Sequence, residues 1–81
     1  MPSVSRRQHL GHLEAMRAAG HLPVAGPLME QPDPRLRGIC IYRTGSVARS
    51  WELASSDPAV VAGRLEVETM RWLTRPGALP R

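Results

Sequence analysis

LRGICIYR, Leu36 to Arg43, is the stretch on which the fold turns. Ile39, Cys40, Ile41 and Tyr42 form its centre, and Thr44-Gly45-Ser46 supplies a turn after it. A run rich in β-branched and aromatic residues bounded by turn residues reads as a strand. Successive strand side chains point to opposite faces. Ile39 and Ile41 therefore share one face, Cys40 and Tyr42 the other, and both pairs are largely apolar. Helices can cover one face of such a sheet. The other needs a cover too, and a second copy of the chain is the simplest candidate.

Working outward, Ser3 or Ser5 can cap a first helix that runs to about Ala19, with Gly20 as its stop. Leu22, Val24 and Ala25 suggest a short strand that Gly26-Pro27 ends. Met29 to Arg35 is a loop, because its two prolines and polar residues leave no period. Beyond the central strand, Ser46 caps a helix over about Val47 to Ala54, and Asp57 opens a helical turn over Pro58 to Ala62. RLEVETMRWL, Arg64 to Leu73, reads as a last strand. The order is α-β-β-α-β, an α+β layer fold with helices on one face. Residues 1–74 form a single domain, and 75–81, with Pro76, Gly77 and Pro80, a loose tail.

The chain has 81 residues, 42% of them hydrophobic, which indicates a single small globular domain. Cores of this size are marginal and are usually supported by disulfides, a metal or a partner subunit. Cys40 is the only cysteine, so no internal disulfide can form. Self-association is the first expectation and a reducing, cytoplasmic setting the second. The net charge is +4, and all 11 basic residues are arginine. They are scattered, with no tract of five or six and no RNA-binding aromatic motif, so no nucleic-acid partner is assigned. No apolar run approaches the roughly 20 residues of a membrane span, and the first residues lack the apolar core of a signal peptide.

Three features bear on chemistry. On the first helix, at about 100° per residue, Leu10, Leu13 and Met16 form an apolar stripe. His9 falls inside that stripe, and a histidine there needs a hydrogen-bond partner. A backbone carbonyl would make it structural; a carboxylate would make it a candidate proton-transfer group. Asp57 can cap the amides of Ala59 or Val60 while Pro58 needs no partner. A carboxylate has two oxygens, so the second can receive an imidazole N–H. His9 and His12 stand three apart, a possible metal spacing, but Cys40, His21 and the carboxylates offer no diagnostic third ligand, and no metal is assigned. Cys40 reads as core filler, and Trp51 and Trp72 as packing residues. There is no G-x-G-x-x-G and no P-loop, so no organic cofactor is assigned.

RRQHLGHLEAM from Arg6, AGPL from Ala25, LRGICIYR from Leu36, and DPAVVAGRLEVE from Asp57 with Trp72 after it, resemble the YciI-like (YCII-related) proteins in order and spacing. The R-x-x-H-L and D-P-x-x-x-A-G pieces are the specific part. The resemblance implies a ferredoxin-like fold that pairs into a dimeric α-β barrel, with a histidine–aspartate dyad in a cleft. By motif, His9 and Asp57 are the implied catalytic pair, and Arg6, Gly26 and Pro27 would flank the cleft and bind substrate. Two departures stand out. Relatives usually begin with a strand before the first helix, and MPSV is too short to replace it, so a start further upstream is expected. Met70 and Arg71 stand where relatives often carry a histidine and a proline. The leading expectation is a small-molecule enzyme of isomerase, lyase or hydrolase type that uses His9 and Asp57 for proton transfer. The alternative is a non-catalytic dimeric ligand-binding or regulatory module.

Overall fold

The computed structural model describes residues 6–79. Five elements follow in order: α1 (Arg6–Ala18), β1 (Val24–Pro27), β2 (Gly38–Ile41), α2 (Val47–Ser55) and α3 (Pro58–Val61). Helices and a two-stranded antiparallel sheet make an α+β architecture.

Local chemistry sets the end of α1 and the start of α2. The start of α1 adjoins Ser3 and Ser5, which lie outside the described residues. At its far end Gly20 adopts a φ of +83°, the left-handed conformation that glycine takes at least cost. Its amide donates to the Arg17 carbonyl and that of His21 to Met16, each at 3.0 Å. This is the Schellman pattern, which satisfies carbonyls that the helix itself leaves open. Ser46 caps α2 by accepting the Arg49 amide at 3.0 Å. Ser50, buried on α2, lies 2.6 Å from the Thr44 hydroxyl, which in turn donates to the Ser46 carbonyl.

The inward stripe of α1 is rotated from the expected one. His9, His12, Leu13 and Met16 are half-buried, while Leu10 is exposed. The spacing i, i+3, i+4, i+7 is that of one helix face. Leu10 lies about 110° from its centre at 100° per residue. The rotation brings His12 in and turns Leu10 out, while His9 stays inside as expected, and the next subsection gives its partner.

β1 pairs with β2 in the register Val24–Ile41, Ala25–Cys40, Gly26–Ile39 and Pro27–Gly38. Gly26 and Pro27 are thus the last two residues of the strand, which they end from within the paired register. Proline is tolerated there because it closes the strand, and the amide of Leu28 resumes the pairing by donating to Arg37 at 3.0 Å. The Arg43 amide donates to the His21 carbonyl at 2.8 Å, tying the exit of β2 to the turn that ends α1.

The expected third strand over Arg64 to Leu73 does not form. Among the described residues the sheet has two strands. The alternation that suggested a strand is nevertheless present: Leu65, Val67 and Thr69 are half-buried, and Glu66, Glu68 and Met70 are exposed. A strand also needs a neighbour to receive its amides and carbonyls. This segment has the pattern without the ladder. Among the described residues the buried apolar residues are Leu22, Leu53 and Ala59, so the core there is small.

Gly38 is where backbones approach most closely. A Cβ built there would lie 2.9 Å from the Gly26 carbonyl oxygen. Gly38→Ala is expected to push the hairpin strands apart and cost about 1–3 kcal/mol, the usual range for overpacking. The thermal midpoint at fixed protein concentration measures this, and an unchanged midpoint would contradict the close approach.

Candidate functional site

Asp57 stands at the junction of α2 and α3 and is only 4% exposed. Two serines, an aspartate and a proline make this a helix start by local rules. Pro58 occupies the first turn, where its lack of an N–H costs nothing, and Oδ1 of Asp57 accepts the Ala59 amide at 2.9 Å. Gly63, at φ +78°, ends the turn, and the amides of Gly63 and Arg64 donate to Val60 and Ala59. Four residues cannot hold a helix alone. This one is defined by a cap at each end.

The second oxygen of Asp57 reaches α1. His9 Nδ1 lies 2.6 Å from Asp57 Oδ2, across 48 residues of sequence. The His9 side chain is 31% exposed and that of Asp57 6%. A carboxylate only accepts hydrogen bonds, so Nδ1 carries the hydrogen and donates it. In the neutral ring Nε2 is then the bare nitrogen. Among the described residues Nε2 of His9 has no hydrogen-bond partner. The arrangement can accept a proton at Nε2, balance the resulting charge through Asp57, and return the proton to a bound molecule.

The charge of the carboxylate is felt by two groups at the end of β2. Cys40 is exposed as a residue, but its thiol is pushed up in pKa, first by desolvation and then by the charge of Asp57. That favours the neutral thiol and disfavours a nucleophilic thiolate. Tyr42 is half-buried, and its phenol is pushed up to about 12 by desolvation, then by Cys40 and by Asp57. Sequence reasoning took Cys40 for core filler and gave Tyr42 no part near the carboxylate. Strand parity puts the two on one face, and that was the available signal.

The remaining expected residues are dispersed. Arg6 is the first residue of α1, three before His9, and is exposed. Gly26 and Pro27 are exposed in β1, opposite Ile39 and Gly38. No hydrogen bond joins any of the three to His9 or Asp57 among the described residues. A hollow of about 570 Å³ between α1 and β1 is lined by Leu10, Leu13, Glu14, Arg17, Leu22 and Val24 among others, and not by His9 or Asp57. Among the described residues no three His, Cys, Asp or Glu side chains converge in a metal-binding arrangement. No helix there is long and apolar enough to cross a membrane. No protein-family model, curated protein or solved structure matches the chain.

Two outcomes follow from this geometry. Asp57→Ala removes the cap, worth about 1 kcal/mol, and a hydrogen bond to a charged group, worth about 1.5–3 kcal/mol. Asp57→Asn keeps an oxygen for the Ala59 amide. Urea denaturation at one protein concentration should therefore rank wild type above Asp57→Asn and Asp57→Ala last; equal losses would show that the cap contributes nothing. The second outcome concerns Tyr42, the only tyrosine. Its pKa is raised in the fold, so folding favours the neutral phenol. Stability should be unaffected below the ordinary value near 10 and fall as pH rises from there through about 12. Phenolate absorbance reads this single group directly. A midpoint near 10 in the folded chain would contradict the stated environment.

Proposed function

We propose that this chain is a YciI-like domain acting as a small-molecule enzyme, in which His9 moves a proton and Asp57 orients and charge-balances the ring. One observation carries the reading: Nδ1 of His9 meets the free oxygen of a buried, helix-capping aspartate at 2.6 Å. Such a contact leaves Nε2 as the working nitrogen. An isomerisation, elimination or hydrolysis fits a site built on one proton-transfer group. Arg6, one turn before His9 on α1, suits an anionic substrate group. The Gly26-Pro27 end of β1 would form part of the substrate wall. The reading includes a cytoplasmic setting and a homodimer.

A second reading has a specific support. Both oxygens of Asp57 already have structural duties, and the hollow beside α1 excludes the dyad. On that view the chain is a dimeric ligand-binding or regulatory module, and His9 is a fastening between helices.

The variants separate the two. Asp57→Asn keeps the cap but presents an amide N–H to the ring, so Nδ1 becomes the acceptor and Nε2 carries the hydrogen. With a substrate found by screening small carboxylate esters and hydroxy acids, His9→Ala and Asp57→Asn should each lose about 10²–10⁴-fold in kcat/KM, the worth of a positioned acid or base. Their thermal midpoints should remain within a few degrees of each other. Turnover retained in both folded variants would remove the catalytic assignment in favour of the module.

A further inference from the structure

Pro76 and Gly77 organise the segment after Leu73. Gly77 has a φ of +80°, and the Ala78 amide donates to the Arg75 carbonyl at 3.1 Å. Proline second, a left-handed glycine third and a bond from the fourth residue to the first make a type II turn. Glycine takes that conformation at no steric cost. Leu79, just beyond the turn, is half-buried, so this stretch is packed rather than trailing.

The turn and the exit of β2 enclose a hollow of about 390 Å³. Arg43, Thr74, Arg75, Pro76 and Gly77 are among the residues that line it, and none of its lining residues is an aspartate or a glutamate. The backbone of Arg43 is fixed, because its amide donates to the His21 carbonyl at 2.8 Å. Three other exposed arginines carry their own counter-charges: Arg17 on Glu14, Arg35 on Asp33 and Arg49 on Glu52. Arg75 has no such carboxylate among the described residues, and no acidic side chain occurs from Thr69 to Arg81. Arg43 has an interaction already, but a guanidinium has five N–H donors and one partner does not use them up.

Two cations on one concave surface repel each other and focus a positive potential into it. An oxyanion relieves that repulsion. Guanidinium groups fit phosphate oxygens in a bidentate manner, and the Thr74 hydroxyl adds a neutral donor. A phosphate monoester brings up to two negative charges to two guanidiniums, where a carboxylate brings one. The volume lies in the range of small-ligand sites, so there is room for more than the bare ion. We propose that this hollow binds a phosphate group, free or carried by a small phosphomonoester, with Arg43 and Arg75 as its two clamps and Thr74 as a third donor. Neither His9 nor Asp57 lines the hollow, so the site is separate from the dyad and is tested without it.

Isothermal titration calorimetry on the full chain, with inorganic phosphate and with glucose 6-phosphate, makes the test. The expected result is one equivalent bound per chain, weakened about tenfold or more in Arg75→Gln and in Arg43→Gln. Arg71→Gln removes the same charge from the same segment at a position that does not line the hollow, and should leave binding unchanged. Gly77→Ala keeps every charge and strains the turn, and should weaken binding several-fold. All four positions are exposed, so circular dichroism should show each variant folded; Arg75→Gln decides alone if Arg43→Gln does not fold. Tighter binding of glucose 6-phosphate upholds the site for an ester, and equal binding upholds it for the free ion. No binding of either at millimolar concentration overturns it, as does equal weakening by Arg71→Gln and Arg75→Gln. A thymidine oligonucleotide of about ten residues, bound more tightly than both and equally sensitive to Arg71→Gln, overturns it in favour of a diffuse nucleic-acid surface.

Discussion

Two helices depend on the two oxygens of one carboxylate. Oδ1 of Asp57 starts α3, and Oδ2 holds α1 through His9. Burying a carboxylate is costly unless its oxygens find donors. Here one donor is a backbone amide and the other an imidazole, so neither oxygen is idle. The same contact that resembles a proton-transfer pair also sets how α1 lies against α3. Fold and candidate site meet at this residue. A change at Asp57 acts on both at once, which is why the asparagine and alanine variants carry different information.

Much of this was legible because it is local. Gly20 after a helical run, Ser46 before Val47 and Asp57 before Pro58 are caps whose chemistry needs only their neighbours. The contact between His9 and Asp57 was legible for a different reason. A histidine in an apolar stripe lacks a partner, and a capping aspartate has an oxygen to spare. Each residue posed half of one question. What the sequence could not show depends on distant partners. Leu10 and His12 exchange places relative to the expected stripe, because the inward direction of α1 is set by a carboxylate 48 residues beyond His9. Leu65 to Met70 alternates as a strand should, yet alternation describes two faces and not an edge. Whether amides find carbonyls there depends on a neighbour, and no local pattern encodes one.

Gly26 and Pro27 show the same limit from the other side. Gly-Pro reads as a stop because proline lacks a donor. In the structure the pair completes β1, since Pro27 sits at the last paired position and Leu28 takes up the next hydrogen bond. Gly38 opposite makes room for the carbonyl of Gly26. The close approach is a property of two glycines on two strands, and reading either one alone misses it.

The geometry also fixes which nitrogen of His9 can act. Nδ1 is committed to a buried group that cannot swing without uncapping α3. The ring can turn only about that hydrogen bond, so the position of Nε2 follows α1 as a body. A mobile α1 would spread Nε2 over many positions, and catalysis by a positioned base tolerates little of that. The packing of Leu13 and Met16 along the same face therefore bears on the position of His9. The exposed Leu10 and the histidine are on one helix, and a helix transmits displacement along its whole length. The position of Nε2 therefore depends on how α1 packs along its whole length, and not on the contact with Asp57 alone.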